Sequence, residues 1–130
     1  IYNMKKLLLM TLLLVMGVTF AVAQNQAEIK FDKVTHDFGT FKESSPVQKT
    51  TFTFTNFGNA PLVINQVIAS CGCTIPRYDM RPIAPGQKCS IDVTYNGTGK
   101  FAGHFKKSIT VRTNGKNEVT RLYIEGVMER

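Results

Sequence analysis

Two cysteines separated by one glycine, Cys71 and Cys73, are the residues of this chain with the most evident chemistry. They follow an apolar run that ends at Ala69. Thiols at this spacing can form a disulfide, exchange electrons with other thiols, or bind a soft metal ion as thiolates. A third cysteine, Cys89, follows on a separate apolar segment. Three single bridges are therefore possible, and each leaves one thiol unpaired.

The pairing of these cysteines stays open at the level of sequence. Residues two apart in an extended strand have Cα atoms about 6.6 Å apart, near the upper limit for a disulfide. A Cys71–Cys73 bridge therefore requires a tight turn, which Gly72 permits at a cost in strain. Because a strained disulfide is easily reduced, this bridge would suit a redox role. The structural alternative is a disulfide from Cys89 to Cys71 or Cys73. It would close a loop of about 17 residues and stabilise the folded state by about 3 kcal/mol. Cys89 can also stay a small buried apolar residue.

Metal binding is the third alternative for Cys71 and Cys73. Two thiolates with a thioether or an imidazole nearby suit a soft ion such as Cu(I). The candidate additional ligands are Met80, His36 and His104, although none has a diagnostic spacing to the cysteines. Zinc sites usually show two Cys-x-x-Cys-like halves, and this chain has neither. Beyond Cu(I) or zinc at the cysteine pair, no cofactor is predicted.

No motif of a hydrolase or a nucleotide-binding enzyme occurs in the chain. A Gly-x-Ser-x-Gly elbow, a His-Glu-x-x-His helix and a phosphate-cradling glycine loop are all absent. The sequence therefore predicts a protein that is not an enzyme.

The first 23 residues are predicted to be an upstream extension and a cleaved signal peptide. Met4-Lys5-Lys6 is a short positive region, residues 7–20 are mainly apolar, and Ala21-Val22-Ala23 provides the small-x-small cleavage pattern. Polar residues follow at once, so no transmembrane anchor is expected after cleavage. We expect an exported protein, periplasmic or extracellular, with a mature domain over residues 24–130.

The charge of the mature domain is basic but scattered. The formal charge of +7 includes Lys5 and Lys6, which leaves 14 basic and 9 acidic groups, or +5. Only Lys106 and Lys107 are adjacent among the mature basic residues, which indicates a solvated surface and no nucleic-acid partner.

Apolar and polar residues alternate with period two from Glu28 onward, and no helical stripe is present. About seven strands at this spacing predict an all-β, immunoglobulin-like two-sheet sandwich. Asn65-Gln66 is a possible bulge within a strand that is apolar on both faces, as expected of a central strand. Pro85-Gly86 suits a type II turn. The predicted strands are 29–38, with a kink at Asp32-Lys33, then 47–55, 62–69, 88–95, 105–113 and 119–128, with an extended edge at 81–86.

Several motifs resemble one bacterial family. The signature Cys71-Gly72-Cys73-Thr74 resembles that of the exported domain-of-unknown-function family numbered fifteen-seventy-three. The other matching stretches are His36-Asp37-Phe38-Gly39-Thr40, Phe52-x-Phe54-x-Asn56-x-Gly58, Pro61-Leu62-Val63-Ile64, Ile83-Ala84-Pro85-Gly86, Ile91-x-Val93 and Gly103-x-Phe105-x-Lys107-x-Ile109-x-Val111. The resemblance implies an immunoglobulin-like sandwich similar to pilus chaperones and sperm proteins, and it implies no established activity. Cys89 departs from the family pattern, which has a small residue there.

Two functional hypotheses follow from these observations. The first is a non-enzymatic exported module that binds another protein, an envelope component or a glycan, with recognition at edge strands or loops, for example by strand addition. The second is a periplasmic protein that binds Cu(I) or exchanges thiols at Cys71 and Cys73.

Overall fold

The computed structural model describes residues 25–130, so the predicted signal peptide within residues 1–23 lies outside the described part. Residues 25–130 form eight strands. Within residues 25–130, no helix is long and apolar enough to cross a membrane. The strands are β1 (Ile29–Phe31), β2 (Thr35–Lys42), β3 (Val47–Asn56), β4 (Ile64–Ala69), β5 (Thr74–Tyr78), β6 (Lys88–Asn96), β7 (Gly103–Thr113) and β8 (Val119–Glu129).

The strands form two four-stranded sheets. One sheet has the order β1-β3-β6-β5, and the other has the order β2-β8-β7-β4. All neighbours are antiparallel except β2, which runs parallel to β8. The predicted all-β, immunoglobulin-like two-sheet sandwich is confirmed.

The core lies between the two sheets, because alternate residues of each strand point inward. Phe52 and Phe54 of β3 are fully buried, as their period-two spacing predicts. Burial of each large apolar side chain contributes about 1.5–3 kcal/mol. The other fully buried apolar side chains are Leu62, Ile91, Val93, Ile109, Val111, Leu122, Ile124 and Met128.

The structure differs from the sequence prediction in the first strand and in the number of strands. The predicted strand 29–38 divides at residues 32–34 into β1 and β2, which belong to different sheets. The chain therefore crosses the sandwich at this point. β5 is an additional strand that the prediction missed, because Pro76 lies within it. Proline is tolerated there because β5 is at the edge of its sheet.

The apolar segment 62–69 is not a central strand. Its regular part, β4, is at the edge of its sheet, and Ile68 is 47% exposed. Leu62 is buried instead through an isolated bridge to Ile83. The predicted bulge is present, because the register with β7 shifts between Ile64 and Gln66.

Two predicted turns are present. Gln87 N–H donates to Ala84 O at 3.0 Å, and Gly86 has a φ of 81°, as a type II turn with Pro85 and Gly86 at its centre requires. β7 and β8 form the predicted hairpin, closed by a hydrogen bond from Thr113 N–H to Glu118 O at 2.9 Å.

Candidate functional site at the Cys71–Cys73 corner

The two motif cysteines lie at the corner where the chain passes from β4 in one sheet to β5 in the other. Before the corner, Ser70 N–H donates to Ser108 O of β7 at 2.9 Å. After it, Cys73 O accepts from Asn96 N–H of β6 at 2.8 Å. The corner is therefore attached to both sheets by backbone hydrogen bonds on either side of Gly72.

The turn brings the two sulfur atoms together. Cys71 Sγ and Cys73 Sγ are 2.00 Å apart, the separation of a disulfide bond, and their Cα atoms are 5.1 Å apart. Thr74 N–H donates to Cys71 O at 3.1 Å and closes the tight turn that a bridge at this spacing requires. Cys73 is only 7% exposed, whereas Cys71 is partly exposed.

A polar group lies near each sulfur atom. Cys73 N–H lies 3.1 Å from Cys71 Sγ and donates to it. On the other side, Cys73 Sγ lies 3.7 Å from the hydroxyl of Thr74. A hydrogen-bond donor at a sulfur stabilises its thiolate form when the disulfide is reduced.

An aromatic cluster lies next to the corner, and the sequence prediction missed it. Thr74 of β5 is directly opposite Tyr95 of β6. The Tyr95 ring stacks on Phe105 with centroids 4.0 Å apart, and Phe41 packs edge-on against Phe105 at 5.9 Å. Burial raises the pKa of Tyr95. The side of the corner that faces the core is thus lined by packed aromatic rings.

The alternative bridge from Cys89 to Cys71 or Cys73 does not form in the structure. Cys89 lies near the start of β6, opposite Phe54, and its thiol is free. Cys73 O accepts a backbone hydrogen bond from Asn96 N–H, at the other end of the same strand. Seven residues at about 3.4 Å each separate the two ends by roughly 24 Å, whereas a disulfide requires Cα atoms within about 7 Å. The half-buried Cys89 packs against the core instead.

The additional metal ligands suggested by the sequence do not converge on the cysteines. Met80 lies beyond the end of β5 that is remote from the corner and is 73% exposed. His36 is on β2, at the opposite edge of the sheet from β4. His104 Nε2 is 3.7 Å from Glu125 Oε2 on the neighbouring strand. No group of three His, Cys, Asp or Glu side chains suited to a metal occurs among residues 25–130.

His36 has partners of its own. Lys33 Nζ donates to its Nδ1 at 2.7 Å, and its ring packs edge-on against Phe38 at 4.8 Å. Burial and, to a smaller extent, the charge of Lys33 lower the pKa of His36. Cu(I) or zinc binding therefore stays a prediction for the cysteine pair alone.

The fold defines the class of this protein as an immunoglobulin-like, PapD-like sandwich. The chain belongs to the family described as "Protein of unknown function (DUF1573)", whose profile matches residues 29–128. The match includes the Cys-Gly-Cys corner and confirms the family resemblance. No curated protein matches the chain.

Solved structures with similar folds come from different sources. A protein of unknown function from Porphyromonas gingivalis W83 has a TM-score of 0.68 and 16% identity, covering 84% of this chain and 51% of that one. This chain thus spans about half the length of that protein. PapD-like domain 7 of human CEP192 has a TM-score of 0.65 and 7% identity, with coverages of 86% and 92%. The periplasmic chaperone SfaE has a TM-score of 0.55 and 6% identity, with coverages of 78% and 57%. At these identities the similarities show the fold alone.

Proposed function

We propose that this protein is an exported, non-enzymatic module that binds an extended segment of another protein as an added strand beside β4. The observation that carries the proposal is the composition of this edge. β4 has the sequence INQVIA, without a charged residue or a proline, and its outer side has no strand beside it in the described part of the chain. Unpaired backbone groups at such an edge are a template for another strand.

The other three sheet edges carry features that oppose strand addition. β5 contains Pro76, which has no N–H to offer. β2 contains Lys42 and a bulge near Gly39, whose φ is 69°. β1 has only three residues, and one of them is Lys30. Charges, proline, bulges and short length are the usual means by which edges avoid pairing, so β4 is the edge best suited to a partner.

The register with β7 identifies the backbone groups that a partner would meet. Ser70 N–H donates to Ser108 O, directly opposite. Because the direction of backbone groups alternates along an antiparallel strand, Ile68 also faces β7. The N–H and C=O groups of Val67 and Ala69 therefore point to the free edge. Their side chains pack against the core, which holds this part of β4 in place.

The side chains beside the edge suggest the chemistry of the partner segment. Ile68, on the outer face of β4, is 47% exposed and offers an apolar contact. Arg112 of β7 is opposite Gln66 and brings a positive charge to the same face. An extended segment with an apolar residue and a nearby acidic residue fits this surface, in agreement with the net charge of +5 of the mature domain.

The test uses peptides selected from a display library on the purified mature domain. Ala69→Pro removes the outward N–H, and we expect it to weaken peptide binding at least about tenfold, because main-chain hydrogen bonds supply the affinity in strand addition. Ala69→Ser is the matched control, since it keeps the N–H at the same position. Amide hydrogen exchange provides a second readout. Val67 and Ala69 should become protected in the complex, whereas Gln66 and Ile68 are already protected in the free domain. Binding that survives Ala69→Pro, without protection at Val67 and Ala69, would overturn the proposal.

Export is tested separately. The positive region Met4-Lys5-Lys6, the apolar run and Ala21-Val22-Ala23 support cleavage before Gln24. Expression of the full chain in a bacterial host, followed by fractionation and N-terminal sequencing, should yield periplasmic or secreted protein that begins at Gln24. Uncleaved protein in the cytoplasm would contradict this part of the proposal.

A further inference from the structure

We propose that the Cys71–Cys73 disulfide is an exchange site that takes electrons from the thiols of another protein, with Cys71 as the sulfur that is attacked. The proposal depends on the corner itself and not on strand addition at β4, since a small thiol can react there without any peptide partner. It assigns an activity to the pair in addition to the proposed binding role.

The two cysteines differ in exposure. Cys73 belongs to the core cluster and is 7% exposed, whereas Cys71 packs against that cluster and is partly exposed. An incoming thiolate can therefore reach Cys71 Sγ more readily than Cys73 Sγ. Cys73 is then the leaving group in the first step and the resolving thiol in the reverse direction.

Glycine between the cysteines leaves the approach open. Gly72 is exposed, and a Cβ added to it would meet no atom within 4 Å. Its φ is outside the positive region that excludes other residues. Neither backbone conformation nor crowding therefore requires glycine at this position. Because glycine has no side chain, the surface beside Cys71 is unobstructed at this position.

The neighbouring groups stabilise the products of exchange. Cys73 N–H, 3.1 Å from Cys71 Sγ, can donate to the Cys71 thiolate. The Thr74 hydroxyl, 3.7 Å from Cys73 Sγ, can donate to the Cys73 thiolate as it leaves. Hydrogen bonds to a thiolate favour this charged form and assist its departure.

Contacts other than the disulfide also hold the corner in place. Ser70 is held to Ser108 of β7, and Cys73 is held to Asn96 of β6, by backbone hydrogen bonds that do not involve sulfur. The disulfide spans a separation of only two residues, and short loops restrict the unfolded chain least. The corner can therefore stay folded in both the oxidised and the reduced state, as repeated exchange requires.

The reaction is balanced with two substrate thiols. A substrate thiolate attacks Cys71 Sγ, the Cys71–Cys73 bond breaks, and Cys73 leaves as a thiolate. A second substrate thiolate then attacks the substrate sulfur of the mixed disulfide and releases Cys71 as a thiolate. The substrate is oxidised to a disulfide by two electrons, the cysteine pair is reduced by the same two electrons, and protons lost by the substrate thiols are available to the two thiolates.

The first experiment measures reduction of the folded protein. In a Cys89→Ser background, the mature domain is incubated with reduced glutathione without denaturant, and its thiols are counted by alkylation and intact mass. We expect two thiols to appear while the circular dichroism spectrum stays folded. A pair that stays oxidised, or that is reduced only at urea concentrations that unfold the domain, would overturn the proposal. Gly72→Val should slow the reaction at least about threefold, because it restricts access to Cys71.

The second experiment identifies the sulfur that is attacked. Cys73→Ser and Cys71→Ser, each in the Cys89→Ser background, leave one thiol of the pair to react with 5,5′-dithiobis(2-nitrobenzoate). The Cys71 thiol should react at least about tenfold faster than the Cys73 thiol, because it is accessible and has an N–H donor. Thermal unfolding of both variants controls for loss of structure. Equal rates in two folded variants, or a faster Cys73, would contradict the assignment.

Discussion

Asn56 provides a quantitative test of how the end of the sandwich remote from the cysteine corner is held together. Its side chain is fully buried at the end of β3. Asn56 Oδ1 accepts from the N–H groups of Glu28 at 3.3 Å and Gly58 at 2.9 Å. Asn56 Nδ2 donates to the carbonyls of Ala60 at 2.8 Å and Ile83 at 2.9 Å. One side chain thus connects the N-terminal segment, the loop after β3 and the segment before β6.

The substitution Asn56→Ala removes all four hydrogen bonds and leaves their backbone partners without this side chain. A typical hydrogen bond contributes about 1 kcal/mol net, so we expect a loss of about 4 kcal/mol in the free energy of unfolding. A domain of this size is stable by only about 5–15 kcal/mol, so the loss is a large part of the total. Gly58 adds to this constraint, because a Cβ there would collide with the backbone of Gln26 and Ala27.

The assay is urea-induced unfolding of a protein that spans residues 24–130, followed by circular dichroism and analysed as a two-state transition. Asn65→Ala is the matched control. Asn65 is exposed, and its side chain makes no hydrogen bond within the described part of the chain, so the substitution removes none. The control should change the free energy by no more than about 0.5 kcal/mol. A loss below about 1 kcal/mol for Asn56→Ala would refute the assumption that the contributions of these four hydrogen bonds add.

Three further predictions concern single groups. The Arg81 side chain hydrogen-bonds Asp79 and lowers the pKa of this carboxyl from 3.8 to about 2, so Arg81→Gln should raise the NMR titration midpoint toward 3.8. Any stability from this pair is present above pH 3.8 and is lost as the pH falls toward 2; an unchanged midpoint would contradict the assigned cause. Cys89→Ser should keep the Cys71–Cys73 bond in intact-mass measurements and cost less than about 1.5 kcal/mol on unfolding, because Cys89 is only half-buried and unpaired. The oxidised protein should take up no stoichiometric Cu(I), since thiolates are the ligands; a one-to-one adduct in native mass spectra would show otherwise.

The parts of the fold that the sequence predicts well are those with a strict period of two. In β3, Phe52 and Phe54 alternate with threonines, and one face is fully buried. In β6, Ile91, Val93 and Tyr95 alternate with polar residues and are buried in the same way. Such a pattern determines which face is inside, because a one-residue shift would expose every apolar side chain.

The position of each strand within its sheet is less accessible to sequence reasoning. The segment 62–69 is apolar on both faces, which is typical of a central strand, yet β4 is at an edge. Its burial depends on the neighbours that the topology provides: Leu62 meets Ile83, while Ile68 is left partly exposed. The lack of charge and proline in β4 is the local signal that could have indicated an unprotected edge, but its meaning emerges only once the sheet order is known.

The cysteine pairing could not be predicted for the same reason. All three bridges are compatible with the spacing in the chain, and only the register of β5 on β6 separates Cys89 from the corner. By the loop-entropy relation, a bridge that closes so short a loop contributes about 1.5 kcal/mol, compared with about 3 kcal/mol for a loop of about 17 residues. The bond that forms is thus the less stabilising alternative. One of its cysteines, Cys71, is partly exposed, and backbone hydrogen bonds already attach the corner to both sheets. Because so short a loop contributes little to stability, the thiol exchange that we propose for Cys71 and Cys73 accounts for this bond better than a purely structural role does.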